Sequence, residues 1–540
     1  MEETSHEVEI ENRKQKIQGY LFGWMHDNYD KIFLIVLAVA FIIRFWIFLK
    51  TYQQPLWWDA ADYLATAKRW GLGLGIRDLW YPRRGFLWPL ISAVFFQLRL
   101  GETGIRFLEV LFSTGIVATS YFLIRDMFNK KLALLTSISL TASWIILFFT
   151  ARPLTSIPAT FFLFLSLLFF WKGYMLKQGN KFFYLFGIFF ALAVLTRMQY
   201  LLFLLPFFIL IFTKEKFRFL KNKKLWLAFL VFLIIISPQI INYTTHYGNP
   251  VTDILNYYFG IGGISQTGAV GGGERTLSAT FSYFRNIPYI LTGKDTSIID
   301  SLFSPTLYLL PLFLIGAVAF FLNLFLCFDK IFKNQELQKK LFVLSWITTL
   351  FLVLGYITEL VEQRYVIPAL PFIFLLVVFP LPKIAAFLQK QKINKKITAI
   401  IVIGLLVALS IPNIIWANQL IETKKTSYLE VKQAGEWIKQ NSDPNAIVIS
   451  DSLPQIAYYS ERSTYPFDLS KTGDPSKATR EEFEQFIQDN RPKYLVLSSF
   501  ERYADWANQY LQENQGTLKP VQAYPPAEQP ILIIYEFQYS

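Results

Sequence analysis

The sequence predicts a polytopic α-helical membrane protein of about 11 spans, with a soluble α/β domain at its C-terminal end. Hydrophobic residues make up 53% of the 540 residues and aromatic residues 18%, which is more apolar surface than a soluble protein can bury. The apolar residues also occur in long, almost uncharged runs, such as 158–171, 225–237 and 305–328. Runs of about 18 or more such residues can cross ~30 Å of hydrocarbon with their backbone hydrogen bonds satisfied.

The distribution of charge predicts which side of the membrane each loop faces. The net charge is +13, and the basic residues concentrate in short connections such as 214–224 and 390–396. Short basic loops are typical of the cytoplasmic side, so we expect a multi-pass protein of the cell membrane with a cytoplasmic N-terminus. The residues after 417 carry more acidic than basic side chains, so nucleic acid is not expected as a partner, whereas membrane lipids are.

The predicted organisation is a cytoplasmic segment 1–30, a transmembrane domain 31–416 and an extracytoplasmic α/β domain 417–540. Two long loops, 50–103 and 242–304, face the outside. The apolar run 85–98 is too short to span and is expected to lie in the interface, because counting it as a span would move the basic residues 125–131 outside. Spans are predicted at 31–49, 104–124, 132–149, 158–176, 182–196, 199–213, 225–241, 305–327, 341–357, 366–382 and 397–416.

The last 120 or so residues alternate between helix and strand patterns. Helices are predicted at 427–440 and 479–489, and strands at 446–450, 493–499 and 531–537. No nucleotide-binding loop or catalytic triad is recognisable there, so a lid or docking domain is the simplest interpretation. The Gly-rich stretch 260–274 lacks the Lys-Ser/Thr of a phosphate-binding loop and is interpreted as a flexible loop.

The first outer loop contains the carboxylate with the strongest claim to chemistry. The stretch 55-PLWWDAADYLATAKRWGLG-73 places Asp59 directly after two tryptophans, which favour the membrane interface. Asp59 could cap a helix over 60–70, or it could serve as a general base at the membrane rim. Asp62, one helical turn further on, is a weaker candidate for the same site.

Two adjacent arginines follow in the same loop, within 77-RDLWYPRRGFLWPL-90. Arg83 and Arg84 could grip a phosphate through their forked donors, or they could simply anchor the loop to anionic lipid. The residues by themselves do not decide between these two interpretations.

The order of the motifs resembles the C-type membrane glycosyltransferases, in particular their protein O-mannosyltransferase and lipid A aminoarabinose transferase branch. The resemblance covers about residues 30–380. It rests on the Asp59 loop and its amphipathic helix, the Tyr-Pro turn, and Gly-x-x-Gly-x-Arg at 101–106. It rests also on 150-TARPLTSIPATFF-162, 195-LTRMQ-199 and 361-VEQRYVIPALPF-372, the last of which is similar to the branch's Arg-Tyr-x-x-Pro motif.

This resemblance implies a polyprenyl-phosphate sugar as donor, and a protein, lipid or glycan as acceptor on the outer face. Asp59 would take the proton of the acceptor, and the sugar would be transferred with inversion. Arg83 or Arg84, together with Arg364, would receive the departing phosphate. The remaining candidates for substrate binding are Tyr365, Asp62, Arg152 and Arg197, with Arg44 inside the first span either facing the same cavity or extending outward.

Two departures from the family pattern concern the need for a metal. Ala60 stands where the family usually has a second acidic residue, and Thr155-Ser156 stand where it often has an aspartate. Without a carboxylate cluster in the first loop, a metal-independent reaction without a cofactor is favoured. A lipid-linked glycan transporter or flippase, or an O-antigen-type ligase, remains as an alternative. The scarcity of mid-span charges and the lack of internal sequence repeats argue against a transporter.

Overall fold

The computed structural model describes residues 28–539 except 151, 260–276, 294–308, 358–360, 468, 470–478, 500, 502, 505 and 527–528, with the backbone alone at 255–259. The Gly-rich stretch 260–274 and nearly all of the predicted cytoplasmic segment 1–30 therefore lie outside the described residues. The membrane half begins with α1 Asn28–Thr51, α2 Trp58–Leu72, α3 Leu87–Gln97, α4 Gly101–Met127, α5 Lys130–Thr141, α6 Trp144–Phe149 and α7 Ser156–Phe170.

The chain continues with α8 Lys181–Thr196, a 3-10 turn Met198–Phe203, α9 Leu204–Glu215, α10 Lys223–Tyr247 and α11 Pro250–Phe259. Three short helices follow, α12 Leu277–Thr280, α13 Ser282–Arg285 and α14 Ile287–Thr292. The last helices of the membrane half are α15 Leu309–Leu326, α16 Gln335–Ile357, a 3-10 turn Gln363–Ala369, α17 Leu370–Val378, α18 Leu381–Lys390 and α19 Lys395–Lys424.

Eight helical segments in the described part of the chain are long and apolar enough to cross a membrane. They coincide with eight of the predicted spans, which confirms a multi-pass membrane protein. The other three predicted spans are also helical, but each is short or broken: α5 and α6 are separated at 142–143, α8 has 16 residues, and α9 is preceded by a 3-10 turn. The helix α3 has 11 residues, so it reaches only ~17 Å and agrees with the interfacial interpretation.

The interior of the membrane half is packed mainly with aromatic and aliphatic side chains. Trp346 on α16 has no exposed surface, and its ring stacks on Phe203 with centroids 4.2 Å apart. The α16 helix also contacts α9 and the 3-10 turn before it, so the three segments form one wall of the membrane half. Because large interlocking rings leave little freedom to shift, this wall is rigid.

The C-terminal part is a five-stranded sheet with helices, as the sequence predicts. Its elements are α20 Leu429–Gln440, β1 Ile447–Ser450, α21 Leu453–Ser460, β2 Ser463–Tyr465, α22 Arg480–Asn490, β3 Tyr494–Ser498, α23 Ala507–Glu513, β4 Leu518–Tyr524 and β5 Leu532–Phe537. The strand order is β2-β1-β3-β5-β4, with β1 parallel to β2 and β3, and β5 antiparallel to β3 and β4.

The three predicted strands of this sheet are confirmed as β1, β3 and β5. The sequence analysis missed β2 and β4, and both are edge strands. β2 has three residues, and β4 is largely exposed and contains Pro520, so neither shows the apolar run of a central strand.

Candidate active site

The connection between α1 and α2 brings Asp59 to the start of α2. The helix begins at Trp58, and its N-cap residue Trp57 makes no side-chain capping bond. Asp59 is therefore the second helical residue, and the alternative interpretation that it caps the helix is wrong. A carboxylate in the first turn is still favoured by the helix dipole, and 36% of the Asp59 side chain is exposed. The carboxylate is thus open to a ligand.

Two arginines from distant parts of the chain reach Asp59. Nη1 of Arg364 lies 2.7 Å from its Oδ2, and Nη2 of Arg84 lies 3.7 Å from its Oδ1. Burial acts to raise the pKa of Asp59, but the charges of Arg364 and Arg84 outweigh it, so the pKa lies below its ordinary value. Asp59 is consequently ionised at neutral pH and can accept a proton.

Asp62 shares Arg84 with Asp59. Its Oδ2 accepts a hydrogen bond from Nη1 of Arg84, whose guanidinium also faces the rings of Tyr63 and Tyr81 at 5.3 and 4.6 Å. Burial raises the pKa of Asp62 to about 6, because the loss of solvation outweighs the attraction of Arg84. The two carboxylates on one face of α2 therefore hold protons with different affinity, and Asp59 is the stronger acid.

Tyr365 links one further arginine, Arg197, to this cluster. The guanidinium of Arg364 lies 5.1 Å from the centroid of the Tyr365 ring, and that of Arg197 lies 4.3 Å from it. Arg197 also donates a hydrogen bond of 2.6 Å to the hydroxyl of Ser156. Nε of Arg364 also lies 3.4 Å from Oε2 of Glu362, two residues earlier in the chain. Arg364 therefore contacts two carboxylates, those of Glu362 and Asp59.

A glycine allows the arginine-bearing segments to approach. A Cβ atom at Gly85 would collide with the carbonyl group of Leu195, so only glycine permits the chain after Arg84 to lie against the end of α8. The buried amide of Gln239 on α10 donates a hydrogen bond of 3.1 Å to the carbonyl of Arg84. This close contact places Arg84 beside the segment that carries Arg197.

Arg83 binds a carboxylate in the second long loop, 242–304, rather than Asp59. Its guanidinium binds Asp253 on α11 through two hydrogen bonds, 2.7 and 3.1 Å long, and lies 4.1 Å from the ring of Tyr247. The hydroxyl of Tyr243 donates to the same carboxylate. Burial acts to raise the pKa of Asp253, but the hydrogen bonds from Arg83 and Tyr243 outweigh it and lower the pKa. Arg83 therefore joins the two long loops, 50–103 and 242–304.

A cavity of about 280 Å³ lies beside these arginines. Six polar residues line it, namely Arg83, Arg197, Gln199, Tyr200, Tyr243 and Tyr365. The rest of its lining is largely apolar and includes Leu350, Val353, Leu354 and Ile357 from α16, and Met198, Leu201 and Leu202 from the 3-10 turn. Because Arg197 and Tyr365 belong both to the cavity and to the cluster around Asp59, a ligand with an apolar chain and an anionic head could occupy the cavity with its head near Asp59.

Comparison with known proteins decides the fold. Residues 83–242 match the family model described as dolichyl-phosphate-mannose-protein mannosyltransferase. The crystal structure of ArnT from Cupriavidus metallidurans bound to undecaprenyl phosphate is similar with a TM-score of 0.63 and 12% identity, covering 94% of this chain and 98% of that chain. The chain has the C-type glycosyltransferase fold.

A second C-type glycosyltransferase structure agrees with this. The Archaeoglobus fulgidus oligosaccharyltransferase AglB, in complex with an inhibitory peptide and a dolichol-phosphate, is similar with a TM-score of 0.55 and 14% identity, over 95% of this chain and 75% of that chain. No curated protein sequence matches this chain significantly. The family match and the C-type fold together confirm the prediction of a membrane glycosyltransferase.

Two candidate arginines lie deeper in the C-type fold than the cluster around Asp59. Arg152 is 5% exposed, its guanidinium lies 4.0 Å from the Trp57 ring centroid, and its Nε donates to the carbonyl of Phe148. Arg44 is completely buried and donates to the hydroxyl of Ser113 and to backbone carbonyls. Arg152 thus supports the segment that precedes Asp59, and Arg44 joins α1 to α4.

Several residues at the site of this C-type fold were missed by the sequence analysis. Asp253, which binds Arg83, and Tyr243, which donates to Asp253, lie within 242–304, where no motif marked them. Tyr63 and Tyr81, which face Arg84, were not proposed as site residues, although Tyr81 belongs to the Tyr-Pro turn on which the resemblance partly rests. Tyr63 could have been found from its helical spacing to Asp59, which places the two on one face.

A metal site is not evident in the described part of this C-type fold. No three His, Cys, Asp or Glu side chains among those residues are grouped so that they could hold a metal ion. Asp59 and Asp62 are each paired with arginine instead. Independence from a metal or cofactor stays a prediction.

Proposed function

We propose that the protein transfers a sugar from a polyprenyl-phosphate carrier to an acceptor on the outer face of the membrane, with inversion at the sugar carbon. The continuity between the apolar cavity and the arginine cluster at Asp59 carries this proposal. A polyprenyl chain suits the apolar wall, and a phosphate suits Arg197, Arg364 and the adjacent Arg84. ArnT bound to undecaprenyl phosphate and AglB bound to a dolichol-phosphate are similar structures that hold such lipids.

The chemistry needs one base and a positive environment for the leaving group. Asp59 accepts the proton of the acceptor hydroxyl. The oxygen of that hydroxyl forms a bond to the sugar carbon, and the bond from that carbon to the phosphate oxygen breaks. Polyprenyl phosphate leaves with the bonding electrons. Its negative charge is stabilised by Arg197, which lines the cavity, and by Arg364, whose guanidinium faces the ring of Tyr365 in the same lining.

The ion pair between Asp59 and Arg364 couples donor binding to the strength of the base. Without substrate, Arg364 lowers the pKa of Asp59 and makes it a weak proton acceptor. A donor phosphate that draws Arg364 toward itself weakens that effect, so the basicity of Asp59 rises when the donor is bound. The base is thereby activated only when the leaving group is in place.

The helices also indicate the orientation that we propose. α10 begins with Lys223 and Lys224 and carries Tyr243 about 30 Å further along, at the cavity. α16 begins near Lys339 and Lys340 and reaches the cavity with 350–357. The site is therefore at the opposite end of these helices from the basic connections, which supports an outer-face site and an extracytoplasmic C-terminal domain.

The test is transfer by purified protein from a panel of undecaprenyl- and dolichyl-phosphate monosaccharides. We expect Asp59→Asn to lower kcat by at least about a thousandfold while its affinity for undecaprenyl phosphate stays within about threefold of the wild type. Asp78→Asn is the matched control, because Asp78 is an aspartate of the same loop that pairs with Arg69 at 3.0 Å. Full transfer by the Asp59→Asn variant would reject Asp59 as the base, and nuclear magnetic resonance of the product would decide whether the configuration inverts.

A further inference from the structure

One helix of the C-terminal domain is inserted beside the helix that carries Asp59. α21 packs against α2. Its tyrosines Tyr458 and Tyr459 are 4% and 7% exposed, and they pack in the hydrophobic core of the membrane half, whereas Ile456 of the same helix packs in a core of the soluble domain. α21 therefore belongs to both halves of the protein.

Tyr459 makes a polar contact just before Asp59 in the chain. Its hydroxyl accepts a hydrogen bond of 2.8 Å from the backbone N–H of Leu56, three residues before Asp59. Leu56 is 1% exposed, so this N–H has no access to water and depends on a protein partner. Trp57 provides no side-chain cap for α2, so the bond to Tyr459 is a polar anchor close to the start of this helix.

A second chain of contacts from the same helix reaches the same connection. The Tyr458 hydroxyl donates a hydrogen bond of 2.8 Å to Glu102, which pairs with Arg106 at 2.6 Å. Arg106 in turn donates to the carbonyls of Thr51 and Gln54, at 3.1 and 2.6 Å. The residues between α1 and α2 are thus held from the soluble domain and from α4 together.

Two further contacts restrict movement of α21 relative to α2. Lys68, further along α2, forms an ion pair of 2.7 Å with Glu461 and donates to the carbonyl of Tyr458. On the other side, Gly435 of α20 packs against Tyr459, where an added Cβ would lie 2.5 Å from the Tyr459 Cβ. Tyr459 therefore has little room to withdraw from Leu56.

We propose that Tyr459 is a positioning residue for the transfer reaction, through which the C-terminal domain sets the position of Asp59 relative to Arg364 and the acceptor. This inference rests on the proposed role of Asp59 as the base. Because Asp59 lies in the first turn after the anchored N–H, a small shift of Leu56 moves the carboxylate by a similar distance. A misplacement of about 1 Å can lower a rate by about a hundredfold.

The test compares two tyrosine variants of the full-length protein. Tyr459→Phe removes the hydroxyl that binds Leu56. Tyr494→Phe is the matched control, because Tyr494 is another buried tyrosine of the soluble domain, and its hydroxyl donates 2.8 Å to the carbonyl of Asn441, away from α2. For Tyr459→Phe we expect kcat to fall by about ten- to a hundredfold with the donor KM within about twofold, and we expect wild-type values for the control.

Hydrogen exchange supplies a measurement that does not require activity. Peptides that cover residues 53–58 should exchange faster in Tyr459→Phe than in the wild type, and at the wild-type rate in Tyr494→Phe, because only the first variant frees the Leu56 amide. If Tyr459→Phe lowers the unfolding temperature more than the control does, Tyr458→Phe, which breaks the bond to Glu102, provides the second test with the same expected loss of kcat.

The outcomes separate the two proposals. Wild-type kcat in Tyr459→Phe, or a raised donor KM at unchanged kcat, overturns the positioning role and leaves the proposed function intact. Unchanged exchange at residues 53–58 overturns the positioning role even if no donor supports transfer. Failure of the wild type to use any polyprenyl-phosphate sugar overturns the proposed function instead. Hydrogen exchange at residues 53–58 then tests the bond between Tyr459 and Leu56 without any activity measurement.

Discussion

Substitution of Arg364 by glutamine should change the pH dependence of sugar transfer in a defined direction. Arg364 is the nearest positive charge to Asp59, at 2.7 Å, and its charge helps to keep the pKa of that carboxyl below the ordinary value. Removal of the charge raises the pKa of Asp59, so a larger fraction of the base is protonated at low pH. The acidic limb of the kcat/KM profile is therefore expected to move to higher pH.

The size of this effect follows from the geometry. Two unit charges about 4 Å apart attract by about 4 kcal/mol at an effective dielectric constant of about 20. Asp59 is 36% exposed, and solvent screening reduces such a pair to about 1–2 kcal/mol. Since about 1.4 kcal/mol is a factor of about ten, the loss of kcat/KM on the acidic side should exceed the loss on the basic side by about tenfold.

The assay is initial-rate transfer at low donor concentration between about pH 4 and 8. Arg83→Gln is the matched control, because Arg83 lines the cavity and pairs with Asp253 rather than with Asp59. Both variants should bind donor less tightly, yet only Arg364→Gln should move the acidic limb. An unmoved limb in Arg364→Gln, or an equal movement in Arg83→Gln, would refute the assignment of Arg364 as the charge that tunes the base.

Three further predictions use the other contacts of the site. Asp253→Asn removes the carboxylate that competes with a phosphate for Arg83, so the Kd for undecaprenyl phosphate should fall about fivefold, and a weaker affinity would contradict this competition. Burial raises the pKa of Asp62 to about 6, above its value in the unfolded chain, so this group stabilises the fold at low pH and the contribution is lost as the pH rises through about 6. The unfolding temperature of the wild type should therefore fall relative to that of Asp62→Asn across this range, and a constant difference would disprove it. Alkaline phosphatase should be active when fused after residue 424 and inactive after 220; the reverse pattern would invert the orientation.

The sequence was most informative where physical constraints act along the chain. The eight long spans and the strands β1, β3 and β5 were predicted because each is a continuous apolar run of the length that its environment demands. The amphipathic helix after Asp59 was expected over 60–70 and extends over Trp58–Leu72. The helix begins earlier than expected because the interpretation of Asp59 as a cap considered only local bonding. The ion pair of Asp59 with Arg364 involves a distant segment.

Neighbouring arginines show what the sequence could not separate. Arg83 and Arg84 are equivalent in any pattern, yet Arg84 binds Asp62 and Arg83 binds Asp253. Adjacent side chains in a non-helical turn point in different directions, and their partners come from α2 and α11, which only the folded chain brings near. The same holds for Arg152, whose position in a motif says nothing about its burial against Trp57.

By itself, the sequence determined that the protein crosses the membrane many times, has the C-type glycosyltransferase fold, and carries an α/β domain at its C-terminal end. These properties depend on hydrophobic length, charge bias and motif order, which are all read along the chain. Only the tertiary structure decided which charges meet at Asp59 and that Tyr459 of the C-terminal domain holds the backbone before it. The contacts of Asp59 with Arg364 and of Leu56 with Tyr459 join residues hundreds of positions apart, and their short-range energies depend on positions in space that no local pattern records.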